Sequence, residues 1–177
     1  VVTENVPDNN TPIVIIDKDK EQTSSVVQMM MKRDATPDSV KGEVDYMVYE
    51  YVKGVGIGLL NDRLAEAALK PDCPFVGASA SVENYIFAKT KEAFSIAVSP
   101  KTTELTADAL RAAYTEALRA AQFGFTKTEY DRSKSSTLSS LDRMYSNREK
   151  RFTSQFANSY KENFLDNEPI PPIEYYY

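Results

Sequence analysis

The sequence predicts an α+β domain, a mostly antiparallel sheet with helices packed on one face. Three observations carry that prediction. Short β-branched runs alternate with turn residues near the start of the chain. A long run from about 40 to 69 repeats apolar residues every three or four positions. The second half holds three more helical patterns punctuated by Gly and Pro. With 177 residues, 42% apolar, the chain can build one ordinary core.

Each element follows in order. Residues 1–10 are a polar lead-in. Residues 11–17, "TPIVIID", are β-branched and predict a strand. "KDKEQ" is a turn. Residues 23–32 predict a second strand, with Val27, Met29 and Met31 on one side and Val26 and Met30 on the other, apolar on both faces and so covered on both. In the run from 40 to 69, Val44, Met47, Val48, Tyr51, Val52, Val55, Leu59, Leu60 and Leu64 form the helical stripe, and Lys70-Pro71 ends it. Two antiparallel strands follow, about 75–84 and 86–98. Thr106 opens a helix whose stripe is Leu110, Ala113, Tyr114, Ala117, Leu118 and Ala121, closed by Gly124. Thr126 and Glu129 have capping-box spacing and start a helix running to the mid 140s. A last helical stretch carries Phe152, Phe156, Tyr160 and Phe164 as core residues and stops before Pro169. The tail through Tyr175 and Tyr176 reads as extended. The predicted order is ββ-α-ββ-ααα-β.

Composition narrows the chemistry. The net charge is −5, which argues against nucleic acid as a partner. No apolar run approaches the ~18 residues of a membrane span. Histidine is absent and Cys73 is the single cysteine, so Ser-His and Cys-His nucleophile pairs, His-ligated metals and an intrachain disulfide are all excluded. Acid–base work would fall to carboxylates, Lys or Tyr.

The remaining motifs have plain readings. Gly54, Gly56 and Gly58 lack dinucleotide spacing and sit inside a helical pattern, where they cost roughly 2–3 kcal/mol against alanine. Close packing or a kink should offset that. Asp17-Lys18-Asp19-Lys20-Glu21 opens like an EF-hand loop, but Gln22 and Gln28 stand at its Gly and Glu positions, leaving a solvated turn. Ser133, Ser135, Ser136, Ser139 and Ser140 predict a small polar surface where helices approach. Ser133 and Lys134 are adjacent and cannot face each other as a dyad. Charges from Glu129 to Arg151 are mixed along their helix. No constellation supports catalysis within this chain.

Several stretches together resemble the insulinase/pitrilysin-type zinc peptidases. They are Leu60-Asn61-Asp62-Arg63-Leu64-Ala65-Glu66 with Lys70-Pro71-Asp72-Cys73-Pro74-Phe75, then Gly124-Phe125-Thr126 with Glu129, Arg132, Ser133 and Lys134. Tyr145-Ser146-Asn147-Arg148-Glu149-Lys150 and Phe164-Leu165-Asp166-Asn167-Glu168-Pro169 continue the match, and residues 6–13 resemble the junction after a catalytic domain. The resemblance implies a bacterial multi-domain protease built from repeated α+β domains. In it, a first domain carries zinc through H-x-x-E-H, and a metal-free domain like this one completes the chamber where peptides are cut. Without histidine, no zinc ligand carries over. Some members offer the substrate an Arg and a Tyr from a strand after the helix matching 40–69. The spacing here differs and Phe75 stands in that region, so those roles are not transferred.

On this reading residues 1–177 are one non-catalytic domain of a longer chain, with 1–10 leading in from the catalytic domain and 170–177 starting the next connection. Its partners are the zinc domain of the same chain and the parent's peptide substrate, in a periplasmic or cell-envelope setting. Zinc is the parent's cofactor, with none in this fragment. The tiny residues after Phe75 raise a candidate surface: Phe75, Gly77, Ala78 and Ser79 form either a wall packed against a neighbouring strand, as in ordinary sheet packing, or a substrate-facing surface to which a peptide adds by main-chain hydrogen bonds. Two other readings stand beside this one: an assembly domain of an inactive relative, and a stand-alone binding module.

Overall fold

The structure, a computed structural model, describes residues 4–84 and 88–176. The chain separates into two compact units. One comprises the residues up to Ala35 together with Ile57–Gly124. The other comprises Thr36–Gly56 and the residues from Phe125 onward. The α+β class predicted from the sequence is present: a three-stranded antiparallel sheet and four α-helices among the described residues.

The first unit holds the sheet. β1 (Val27–Asp34), β2 (Phe75–Asn84) and β3 (Lys91–Pro100) lie in the order β1-β3-β2, both pairings antiparallel. The register sets Val27, Val98 and Ala78 in one row and Met29, Ile96 and Ala80 in the next. Central β3 is buried at both parities, through Ala93 and Ser95 as well as Ile96 and Val98. The core adds Leu59, Leu60 and Leu64 from α1 (Val44–Ala68), Phe75 from β2, and Ala109 and Ala113 from α2 (Thr106–Phe123). Each buried Leu, Ile, Val or Phe contributes about 1.5–3 kcal/mol. Ala109 and Ala113 are four apart and wholly buried, so α2 packs on β3 through its smallest side chains. Gly124 ends α2 at φ 68°, a conformation that glycine adopts freely, and its N–H bonds to the Ala120 carbonyl.

The second unit is helical: the first half of α1, α3 (Lys127–Ser146) and α4 (Thr153–Asp166). Its start is the predicted capping box. The Glu129 N–H donates to Thr126 Oγ1 at 3.3 Å, and the Thr126 N–H donates to Glu129 Oε2 at 2.6 Å. Asn167, at φ 53°, ends α4 in the left-handed region.

Five expectations are corrected. Residues 11–17 form no strand; Ile13, Val14, Ile15 and Ile16 are 72–86% exposed, because propensity without a ladder partner does not make a strand. The strands expected at 23–32 and 86–98 lie a few residues later, with residues 85–87 outside the described set. The tail is a 3₁₀ turn, Ile173–Tyr176, and Tyr177 lies outside the described residues. The aromatic stripe of α4 is open to solvent, Phe164 being 86% exposed, and Val44, Val48, Tyr51 and Val52 on α1 are likewise exposed. The predicted helical period is right at all these positions, but only the Leu59–Leu64 half of the α1 stripe meets a partner surface. Lastly, α1 runs unbroken through Gly54, Gly56 and Gly58, and a Cβ built on any of them meets nothing within 4 Å. No close packing offsets these glycines among the described residues.

Candidate functional site

The strand of tiny residues, β2, is an edge strand, paired on one side with β3. Among the described residues, one side chain hydrogen-bonds to its outer edge. Asn61 of α1 donates from Nδ2 to the Ala80 carbonyl at 2.9 Å and accepts from the Ala80 N–H at 2.7 Å. Both main-chain groups of Ala80 therefore point away from β3. In an antiparallel ladder the direction alternates, so Ala78 and Val82 present their main-chain groups to the same edge. The carboxamide occupies the place of one residue of a neighbouring strand.

The four candidate residues separate in this frame. Phe75 is 1% exposed, so its side chain belongs to the core and does not face a peptide; it pairs with Pro100 at the start of the ladder. The register shifts between Phe75 and Gly77, a bulge that turns Val76 outward, 64% exposed. Gly77 and Ala78 are half-buried and Ser79 is exposed. No described atom comes within 4 Å of a Cβ built on Gly77, so the glycine accommodates no close neighbour within this chain.

The stretch Leu60 to Leu64 serves architecture. Leu60 and Leu64 fill the core, Asn61 clips β2, and Arg63 donates to the Gly124 carbonyl at 3.0 Å, placing a cation at the C-terminal end of α2.

Two polar clusters escaped the sequence reading. In the first unit, Lys91 is 4% exposed and its Nζ donates to Asp34 Oδ1 at 2.6 Å and Asp8 Oδ1 at 2.8 Å. The bonds to Asp34 and then Asp8 raise the lysine pKa, and the bond from Lys91 lowers that of Asp8. Lys32 Nζ donates to the Pro7 carbonyl and Thr90 Oγ1 to the Glu4 carbonyl, so the lead-in is fastened to one end of the sheet. In the second unit, Lys41 Nζ donates to the Asp166 carbonyl at 2.6 Å and lies 3.1 Å from Asp38 and 3.4 Å from Glu168. Tyr46 OH donates to both Glu168 oxygens at 3.0 Å. Burial first, and the Glu168 bond second, push the phenol pKa well above its usual value. These contacts tie the start of α1 to the end of α4. The sequence signal for them is faint: Lys91 lies 57 and 83 residues from its carboxylates, and Tyr46 lies 122 from Glu168.

An open groove of about 1430 Å³ in the second unit is lined by Met144, Phe152, Phe156, Tyr160, Pro171 and Tyr176 among others, and contains none of the four candidates. The Oγ of Ser95 is buried without a hydrogen-bond partner among the described residues. The donor set does not fit zinc: the chain has no histidine, its one cysteine is buried, and no described group of acidic or thiol side chains converges as metal ligands would.

No protein-family model matches the sequence, and no curated protein matches it. Solved structures do share its fold. The periplasmic protease PqqL from Escherichia coli superposes with a TM-score of 0.64 at 18% identity, over 85% of this chain and 16% of that one. The first half of the same protease gives 0.65 at 18% identity, over 84% and 30%. A predicted insulinase family protease from Yersinia pestis gives 0.70 at 10% identity, over 88% and 32%. The chain thus spans a third or less of the structures it resembles. What they share with it is the fold of one domain from insulinase-family proteases.

Proposed function

We propose that this chain is a non-catalytic, chamber-forming domain of a zinc-dependent endopeptidase that cleaves peptides or unfolded polypeptides. One observation carries the reading: nearly the whole chain superposes on a part of much longer proteases. The zinc would sit on histidines of another domain of the same polypeptide, where it supplies an activated water. This chain's residues take no part in that step. The exposed apolar residues Val44, Val48, Tyr51 and Val52 support burial against further domains. PqqL is periplasmic, which favours the same compartment for the parent.

Substrate would meet β2 at its outer edge. The Asn61 clip divides that edge, so a peptide adding by main-chain bonds would engage Ala78, beside Gly77 and the exposed Ser79. The test is peptide hydrolysis by the full parent polypeptide, with and without residues 1–177, after sequencing the region upstream. An H-x-x-E-H motif upstream, with cleavage that collapses when residues 1–177 are removed, supports the proposal. A degenerate motif makes the domain a scaffold. Unchanged cleavage after removal overturns the chamber role.

A further inference from the structure

We infer that residues 11–17 are a strap that closes as a fourth strand on the outer edge of β1. The run holds Ile13, Val14, Ile15 and Ile16, all strand formers and all 72–86% exposed. The acceptor edge belongs to the same unit. Among the described residues β1 pairs only with β3. Strand former and open edge are thus both unpaired, and such edges are normally covered.

Tethers at both ends fix the direction. Lys91 Nζ holds Asp8 and Asp34 together, so the lead-in sits beside the last residue of β1. At the other end, Ser25 Oγ lies 2.9 Å from Thr103 Oγ1, two residues before β1 begins. The chain from 8 to 25 therefore starts at the end of β1 and finishes at its beginning, antiparallel to it. β1 spans roughly 23 Å at strand rise. The tethered stretch can reach roughly 55–60 Å when extended, ample for a strand and a turn.

The same clasp sets the register. With Asp8 opposite Asp34, Ile13 falls opposite Met29 and Ile15 opposite Val27. Ile13 then extends the row Met29, Ile96, Ala80, and Ile15 extends the row Val27, Val98, Ala78. Residues 18–24 are left as the loop. A turn is already present there, Gln22 N–H to the Asp19 carbonyl at 3.3 Å and Glu21 N–H to Asp19 Oδ1 at 2.8 Å. Pro12, with no N–H, stands opposite Met30 as the first residue of the strap strand, a place that proline tolerates. The Ala35 N–H donates to the Thr90 carbonyl and the Ala80 groups face away from β3, so Val27 and Met29 bond to β3 while Gln28 and Met30 open to the strap; Val14 and Ile16 then bond inward to β1, and Ile13 and Ile15 do not. A closed strap shields β1 from strand addition by other chains.

Two measurements on the whole chain test this. Amide hydrogen exchange by NMR at low concentration should show Val14 and Ile16 at least tenfold slower than Ile13 and Ile15. The variant V14C/Q28C, in a Cys73→Ser background, should oxidise to a monomeric, internally crosslinked chain. Uniformly fast exchange across 13–16 overturns the strap. So does a crosslink found only between two chains, which would mean that the strand is exchanged between copies.

Discussion

Asn61 and Ala80 are joined by two hydrogen bonds, 2.9 Å from the side-chain nitrogen to the carbonyl and 2.7 Å from the N–H to the side-chain oxygen. A helix side chain thus completes one position of an edge strand. The small residues of β2 make room for it: at Ala80 the backbone lies close enough to α1 for a side chain of only four heavy atoms beyond the Cα to reach both groups.

Asn61→Ala leaves a part-buried N–H and carbonyl without their partner. The expected loss is about 1–3 kcal/mol, read as a lower urea midpoint with unchanged slope. A midpoint equal to wild type would mean that water replaces the carboxamide freely.

Gly54→Ala and Gly58→Ala should each stabilise the chain by about 0.5–1 kcal/mol, since α1 is regular there and space for the methyl group is open. Thermal melts decide it. A fall in Tm for either variant would reveal a neighbour packed on that stripe in solution.

Tyr46→Phe should cost about 1.5 kcal/mol at neutral pH, the lower end for a bond to a charged acceptor, because Glu168 keeps some solvent access. The folded phenol titrates above the unfolded one. Its contribution is therefore complete below about pH 10 and is lost as pH rises through the folded value. Stability curves of wild type and Tyr46→Phe should accordingly converge at alkaline pH. Parallel curves would contradict the buried bond.

The Lys91 clasp is bounded on both sides of neutrality. Asp8 is lowered, so its share is present above the ordinary carboxylate range and lost as pH falls through the folded value. Lys91 is raised, so its share is present below the ordinary lysine value and lost as pH climbs through the folded one. Lys91→Met should free residues 4–8 at pH 7, seen as faster amide exchange there. Wild type should show the same release in acid. Exchange in 4–8 that ignores both the substitution and the pH would show that the lead-in is held by Lys32 and Thr90 alone.

Local rules read much of this molecule correctly. The capping box of Thr126 and Glu129, the Gly124 stop and the period of the helices depend on residues a few positions apart, and they form where the spacing puts them. Position of burial did not follow. The stripes of α1 and α4 have the right period, yet Val44, Val48 and Phe164 are exposed, because periodicity names a face and not what covers it. The candidate surface was likewise half legible. Its small residues were visible, while the burial of Phe75 and the Asn61 clip depend on which elements meet across the sheet.

By itself the sequence determined that this chain carries no histidine chemistry, that it mixes helix with antiparallel strand, and where most helices start and stop. Tertiary structure alone decided that residues 11–17 form no strand, that Asn61 closes part of the edge of β2, and that Lys41 and Lys91 are buried among carboxylates. The physical reason is range: caps and periods are set within a turn or two of chain. Ladder partners and buried ion contacts join residues tens to more than a hundred positions apart, and only the folded chain brings them together.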